Sequence, residues 1–221
     1  LAGDFVPFAV NVEAGAASGV LRDHLPLCEQ LGSMFAGLAE GLPATIDLEL
    51  QGEIGESDPS LAKLSFLKGL LGNIGGDPVS YVNAARLAEQ RSLDVRVITT
   101  PGEKGRSNLV RVTGDVHSLA GSLSPIDGNP RLNEVDGHRL DIRPSDDMLI
   151  VRNHDIPGMV GIVGTMVGDA GVNISNMYIG EDADGVAAMM VISTDGLVPN
   201  NVQQAIRAVD GVQSVRAVRL G

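Results

Sequence analysis

Apolar positions along the chain change their period several times, and each change marks an element. Over residues 23–40, Leu27, Leu31, Met34, Phe35 and Leu38 recur every three or four positions. That is the spacing of one helix face, and Gly41 and Pro43 end it. Residues 44–50 alternate instead, with Ile46, Leu48 and Leu50 apolar, which predicts a strand with one wet face. Ser57-Asp58-Pro59 opens a second helix that runs through Leu64, Leu67, Lys68 and Leu71 toward the glycines near Gly75. Asn83 stands where it would cap a short helix over 84–90. Strand patterns follow over 94–99, 107–115, 116–124, 131–135 and 138–142. The last two flank Asp136-Gly137, a pair that favours the left-handed conformations of a type I′ hairpin.

Residues 145–221 read more simply. A strand over 148–152 leads through a loop over 153–158 into a helix over 159–169, with Val160, Val163, Met166 and Val167 on one side. Strands over 172–179 and 186–194 flank an acidic turn over 180–185. In the second of them Met189 and Val191 face one way and Met190 and Ile192 the other. Pro199 starts a helix through Val202, Ile206 and Val209, and a strand over 212–220 closes the chain. The order is βαββαβ, the signature of a ferredoxin-like sandwich with two helices on one face of an antiparallel sheet. The fold class is therefore mixed α/β (α+β), in two parts that meet near Pro144-Ser145-Asp146-Asp147. The expected divisions are a lead-in over 1–20, a first domain over 21–144 and a second over 145–221.

Composition narrows the function. The 221 residues are 43% hydrophobic, enough for a real core, but only 3% aromatic with no Trp, so that core is aliphatic. The net charge of -12 argues against nucleic acid, whose binders present cations to phosphates. A single cysteine, Cys28, excludes a disulfide framework and a Cys-rich zinc site, and its leucine-rich helix points to plain packing. No apolar run approaches the ~20 residues of a membrane helix, and no signal peptide is visible, so a soluble cytoplasmic protein is expected. The first residue is Leu1, which suggests a fragment or a processed chain.

Candidate chemistry is sparse. There is no G-x-G-x-x-G and no P-loop, and Gly161, Gly164 and Gly168 fall at helical spacing. His24, His117, His138 and His154 are scattered without metal-ligand spacing, and no catalytic triad or carboxylate pair stands out. No catalytic and no metal residues are expected. Two groups remain. The first is Asn153, Asp155 and Asn173, in Asn153-His154-Asp155-Ile156-Pro157-Gly158 and Gly171-Val172-Asn173-Ile174. The second asparagine is expected beside the first loop, where such side chains and a helix N-terminus suit the ammonium and carboxylate of a free amino acid. Plain capping and turning is the alternative use of the same residue types. The second group is basic: Arg131, His138, Arg139 and Arg143, with Lys104 and Arg106 on a nearby loop. Arg139 and Arg143, four apart on a strand, are expected on one face, and guanidinium forks suit phosphate or carboxylate. A solvated edge paired with Asp141, Asp146 and Asp147 is the alternative.

Longer segments carry a resemblance. VRNHDIPGMVGIVGTMVGDAGVNI, residues 151–174, resembles the opening of an ACT domain, a small-molecule regulatory module. FVPFAVNV, SYVNAARLAEQR and VDGHRLDIRPSDDMLIVRNHDIPG resemble, in order, the C-terminal half of the long form of D-3-phosphoglycerate dehydrogenase. The resemblance implies the tail of a substrate-binding domain, then an allosteric substrate-binding (intervening) domain, then an ACT domain. It places the family's NAD-binding glycines and catalytic Arg, Glu and His before residue 1. It implies NAD as cofactor of the parent enzyme, with none in this segment, for oxidation of 3-phosphoglycerate on the way to serine. It also implies L-serine bound between ACT domains through Asn153, Asp155 and Asn173, and a phosphate-type anion at Arg131, His138, Arg139, Arg143 and Lys104. The implied assembly is a homo-oligomer, a dimer through ACT domains and a tetramer in the parent. Where some relatives carry a basic residue in the third ACT strand, this chain has Ser193. The regulatory part of an iron–sulfur L-serine dehydratase and a free-standing amino-acid sensor are the alternatives.

Overall fold

In a computed structural model, the structure describes residues 19–72, 74, 78–102, 107–181 and 187–220. Helix α1 (Gly19–Leu38) begins earlier than the periodicity predicts and buries Leu21, Leu27, Cys28, Leu31, Met34, Phe35 and Leu38. Strand β1 (Thr45–Gln51) alternates as expected, with Ile46, Leu48 and Leu50 fully buried. Helix α2 (Ser60–Gly72) starts where Asp58 accepts the Ser60 amide at 3.0 Å. Helix α3 (Ala84–Gln90) has the expected bounds, but Asn83 does not cap it. The Asn83 Oδ1 instead accepts the Ser80 amide at 2.7 Å and closes the preceding loop. The Asn83 side chain is thereby committed backward along the chain.

Strands β2 (Asp94–Thr100), β3 (Leu109–Thr113), β4 (Ser118–Leu123), β5 (Pro130–Val135) and β6 (His138–Ile142) join β1 in a sheet ordered β2-β1-β3-β4-β5-β6. β1 and β2 are parallel, joined across α2 and α3, and the other pairs are antiparallel. The β5–β6 turn has φ of 48° at Asp136 and 82° at Gly137, the two left-handed residues a type I′ hairpin requires.

The second unit runs β7 (Asp147–His154), α4 (Met159–Asp169), β8 (Ile174–Glu181), β9 (Ala187–Thr194), α5 (Asn200–Arg207) and β10 (Val212–Arg219). Its sheet is ordered β10-β7-β9-β8 and is antiparallel throughout, so the expected βαββαβ sandwich is present. On one face Leu149, Val151, Met190 and Ile192 pack with Val163, Val167 and Ile206 of the two helices. On α4, Met159 takes the inward position expected of Val160, which is 43% exposed.

The opposite face of this sheet is also covered. Met148, Ile150, Met189, Val191 and Val218 belong to the same buried cluster as α1 and the six-stranded sheet. Helix α1 thus lies between the two sheets, which is why its apolar face is so broad. Two glycines permit the contact. A Cβ on Gly37 would stand 2.7 Å from a Val218 methyl, and one on Gly180 would stand 2.9 Å from the Arg139 carbonyl oxygen. Arg216 of β10 fastens the seam, donating to the Leu38 carbonyl at 3.3 Å and pairing with Glu40.

Candidate functional site

Asn153, Asp155 and Asn173 do not meet within one protomer. β7 continues through His154, so Asn153 sits in a strand opposite Ala188 of β9 rather than in a loop. It is buried, its Nδ2 donates to the His154 carbonyl at 2.7 Å, and its Oδ1 has no partner. Asp155 is exposed in the short link to α4, where Gly158 turns the chain at φ 92°. Asn173 is exposed just before β8, its amide held by Asp195 Oδ1 at 2.8 Å. The register then separates them. Ile174 pairs with Thr194 and Thr194 with Asp147, whereas Glu181 pairs with Ala188 and Ala188 with Asn153. Asn173 lies at the Asp147 end of the sheet and Asn153 at the other end, roughly 20 Å away at ~3.3 Å per strand residue. The adjacency expected from the sequence is corrected for a physical reason: α4 carries the chain back along the whole sheet before β8 begins.

The two helix-connected ends are nevertheless exposed and chemically apt. The first-turn amides of α4 lie beyond the reach of intrahelical acceptors, which favours an anion there. β8 is the outermost strand of its sheet, and Tyr178 and Ile179 on it are exposed, as are Ile156 and Val160 near the start of α4.

The basic group is brought together in part. β6 turns Arg139, Asp141 and, just past its end, Arg143 outward, and turns His138, Leu140 and Ile142 inward. Arg131 of β5 joins the outward face through its Nε, which donates to Asp141 Oδ1 at 2.7 Å. Arg139 and Arg143 share that face, as expected, and neither has an ion pair among the described residues. His138 is the correction. It is only 2% exposed, its Nδ1 meets the Asp136 carbonyl at 3.1 Å, and its buried Nε2 has no partner. Neighbours along a strand point to opposite faces, so His138 cannot join Arg139. Lys104 and Arg106 lie outside the described residues.

Carboxylates temper this face. The Arg131 guanidinium holds the Asp141 carboxyl below its usual range. Hydrogen bonds from Asn129 and Ser124, with a smaller pull from Arg143, bring the Asp127 carboxyl down to about 2. Cys28 offers no nucleophile, because burial pushes its thiol up to about 12. Among the described residues no three His, Cys, Asp or Glu side chains are grouped to hold a metal ion.

A cleft between the two sheets went unread in the sequence. It holds about 590 Å³ and is walled by the end of α1, the β3–β4 turn and strands β7 and β10. Its polar side chains, among them His117, Arg152 and Arg216, come from distant segments and form no motif, so only the fold brings them together.

Comparison with known proteins accounts for both units. The D-3-phosphoglycerate dehydrogenase intervening-domain family matches residues 20–136. The chain belongs to the D-3-phosphoglycerate dehydrogenase family. The ACT-domain family matches residues 148–211, the antiparallel sandwich. D-3-phosphoglycerate dehydrogenase of Mycobacterium leprae is 34% identical over 225 residues, covering 100% of this chain. The Mycobacterium tuberculosis H37Rv protein of the same name is 31% identical over the same length. That of Methanocaldococcus jannaschii is 30% identical over 206 residues and covers 91% of this chain. The chain spans 43% of the length of the mycobacterial relatives and 39% of the archaeal one. In D-3-phosphoglycerate dehydrogenase terms it is the C-terminal regulatory region, an intervening domain followed by an ACT domain.

Proposed function

We propose that this chain is the effector-binding part of an NAD-dependent D-3-phosphoglycerate dehydrogenase in cytoplasmic L-serine biosynthesis, with an intervening domain over 21–144 and an ACT domain over 145–221. Its effector is L-serine, held between the ACT domains of two protomers. The observation that carries this reading is the separation of Asn173 from Asn153 and Asp155 across β8, an outermost strand. Pairing β8 antiparallel with its copy about a two-fold axis sets the Ile174 end of one strand beside the Glu181 end of the other. Each half-site is then completed by its opposite number, twice per dimer. The exposed Val160 and Ile179 would be covered by the same contact. In each site Asp155 takes the serine ammonium and the amides at the start of α4 take its carboxylate. The partner subunit's Asn173, with a donor and an acceptor, bridges carboxylate and hydroxyl. Arg131, Arg139 and Arg143 hold a phosphate-type anion on the outer face of the six-stranded sheet, and the parent enzyme is a homotetramer.

The chain's residues do not fit NAD: the sequence has no G-x-G-x-x-G. The dinucleotide and the oxidation of 3-phosphoglycerate belong to the catalytic part implied by the family.

Calorimetric titration of L-serine, with sedimentation equilibrium on the same samples, tests the reading. Serine binds the wild-type chain and raises its dimer fraction by linkage, and Asn173→Ala abolishes both effects with the fold intact. Absence of serine binding at millimolar concentration overturns it.

A further inference from the structure

We propose that the cleft between the two sheets is a second ligand site, separate from the serine and anion sites, and that it takes a free α-amino acid with an aliphatic side chain. Its volume of about 590 Å³ lies within the ~300–1,000 Å³ of small-molecule pockets, which favour the seams between packed units.

The charges in the cleft sort into those already used and those left over. Arg216 pairs with Glu40 and donates to the Leu38 and Val215 carbonyls. Asp136 accepts the Ser118 amide at 2.9 Å and faces His117 Nδ1 at 2.9 Å. Both pairs are internally satisfied. Arg152 on β7 and Asp115 on the β3–β4 turn also line the cleft, both are exposed, and among the described residues neither side chain has an ion pair or a hydrogen bond. The wall from the second unit thus keeps one uncommitted cation, and the wall from the first one uncommitted anion.

A ligand complementary to that arrangement carries one carboxylate and one ammonium. A dianion would meet only one uncommitted guanidinium and would be repelled by Asp115. A simple cation would leave Arg152 unpartnered. The remaining lining is polar at Gln213 and Ser214 of β10 and apolar at Phe35, Leu42, Pro43 and Val116. Val116 is 80% exposed, a large apolar side chain at the mouth of a charged cleft. An aliphatic side chain packs there while the zwitterion bridges Arg152 and Asp115. Because those two residues belong to different units, the bound amino acid ties the ACT sheet to the β3–β4 turn.

The test uses the intact chain and L-leucine as the probe. Calorimetry is expected to show saturable leucine binding. Isovalerate lacks the ammonium, isopentylamine lacks the carboxylate, and both are expected to bind far more weakly. Arg152→Ala and Asp115→Asn change exposed residues, and each is expected to weaken leucine by about tenfold or more. Asn173→Ala, which removes the proposed serine contact, is expected to leave leucine affinity unchanged, so failure of either site is seen without the other. No leucine binding at millimolar concentration overturns the proposal. So does undiminished binding by Arg152→Ala, or loss of leucine binding in Asn173→Ala.

Discussion

Gly69 of α2 lies against the backbone of Glu29 of α1 so closely that a Cβ there would overlap the Glu29 carbonyl oxygen and stand 2.7 Å from its carbon. The contact is reciprocal, because a Cβ on Gly32 would overlap the Phe66 carbonyl and stand 2.8 Å from the Leu70 amide. Ser33 Oγ donates to the Gly69 carbonyl at 3.2 Å, and Lys68 pairs with Glu29 at 2.8 Å, so the crossing is bonded as well as close. Backbone cannot retreat as a side-chain tip can. Gly69→Ala is therefore expected to cost about 3 kcal/mol or more, the upper part of the overpacking range. At ~2–4 °C per kcal/mol for a chain of this size, thermal unfolding should show Tm lower by roughly 6–12 °C. An unchanged Tm would mean the helices are not in this contact.

Burial also sets a pH dependence. Loss of hydration holds the His24 imidazole below its usual pKa, against smaller upward pulls from the Val20 carbonyl and Asp23. The unfolded chain then takes up this proton first as pH falls through about 6.5, so stability drops in that window. His24→Gln should flatten the slope of urea midpoints between pH 7.5 and 5.5. Asp127 acts lower: its carboxyl stands at about 2 in the folded chain, so its stabilisation is present above the ordinary carboxylate range and fades as pH falls from about 4 toward 2. Asp127→Asn should lower urea midpoints above about pH 4 by a constant amount and change their pH slope only between about 4 and 2.

These groups show what the sequence could and could not carry. The alternation of Ile46, Leu48 and Leu50, the Asp136-Gly137 turn and the βαββαβ order are local patterns, and local patterns survive into the fold. The two-sided burial of Met189 and Met190 was legible too, since both positions are apolar. What covers each face was not. That Gly37 and Gly180 admit α1 and β6 to the second sheet depends on contacts between distant segments. Register was the other blind spot. Asn173 follows Gly171 in a turn-like motif, but only the pairing of β8 with β9 shows which end of the sheet it occupies. His138 stands one residue from Arg139, and that parity turns it to the buried face of β6.

Cys28 should be silent chemically. It is fully buried and its thiol is pushed up to about 12, so almost no thiolate exists at neutral pH. Ellman's reagent is expected to leave the native chain unmodified over the period in which the urea-unfolded chain reacts fully. Rapid reaction of the native protein would place Cys28 outside the α1 core.

The anion reading separates side chains that the sequence grouped together. Arg131, Arg139 and Arg143 share the outward face of β5 and β6, and Asp141 already engages Arg131. A phosphate there would draw chiefly on Arg139 and Arg143, which lack ion pairs among the described residues. Arg143→Ala should reduce phosphate-dependent thermal stabilisation, and the effect in the wild type should shrink as salt rises, since exposed charges are screened within about 8 Å at physiological ionic strength. His138 provides the internal control. It faces the buried side, with its Cβ 3.3 Å from where a Cβ on Gly180 would lie. His138→Ala should lower Tm by opening the seam between β6 and β8, yet leave the phosphate-induced shift in Tm intact. If His138→Ala removes that shift while Arg143→Ala preserves it, the anion sits at the seam and the outward arginines are only a solvated edge.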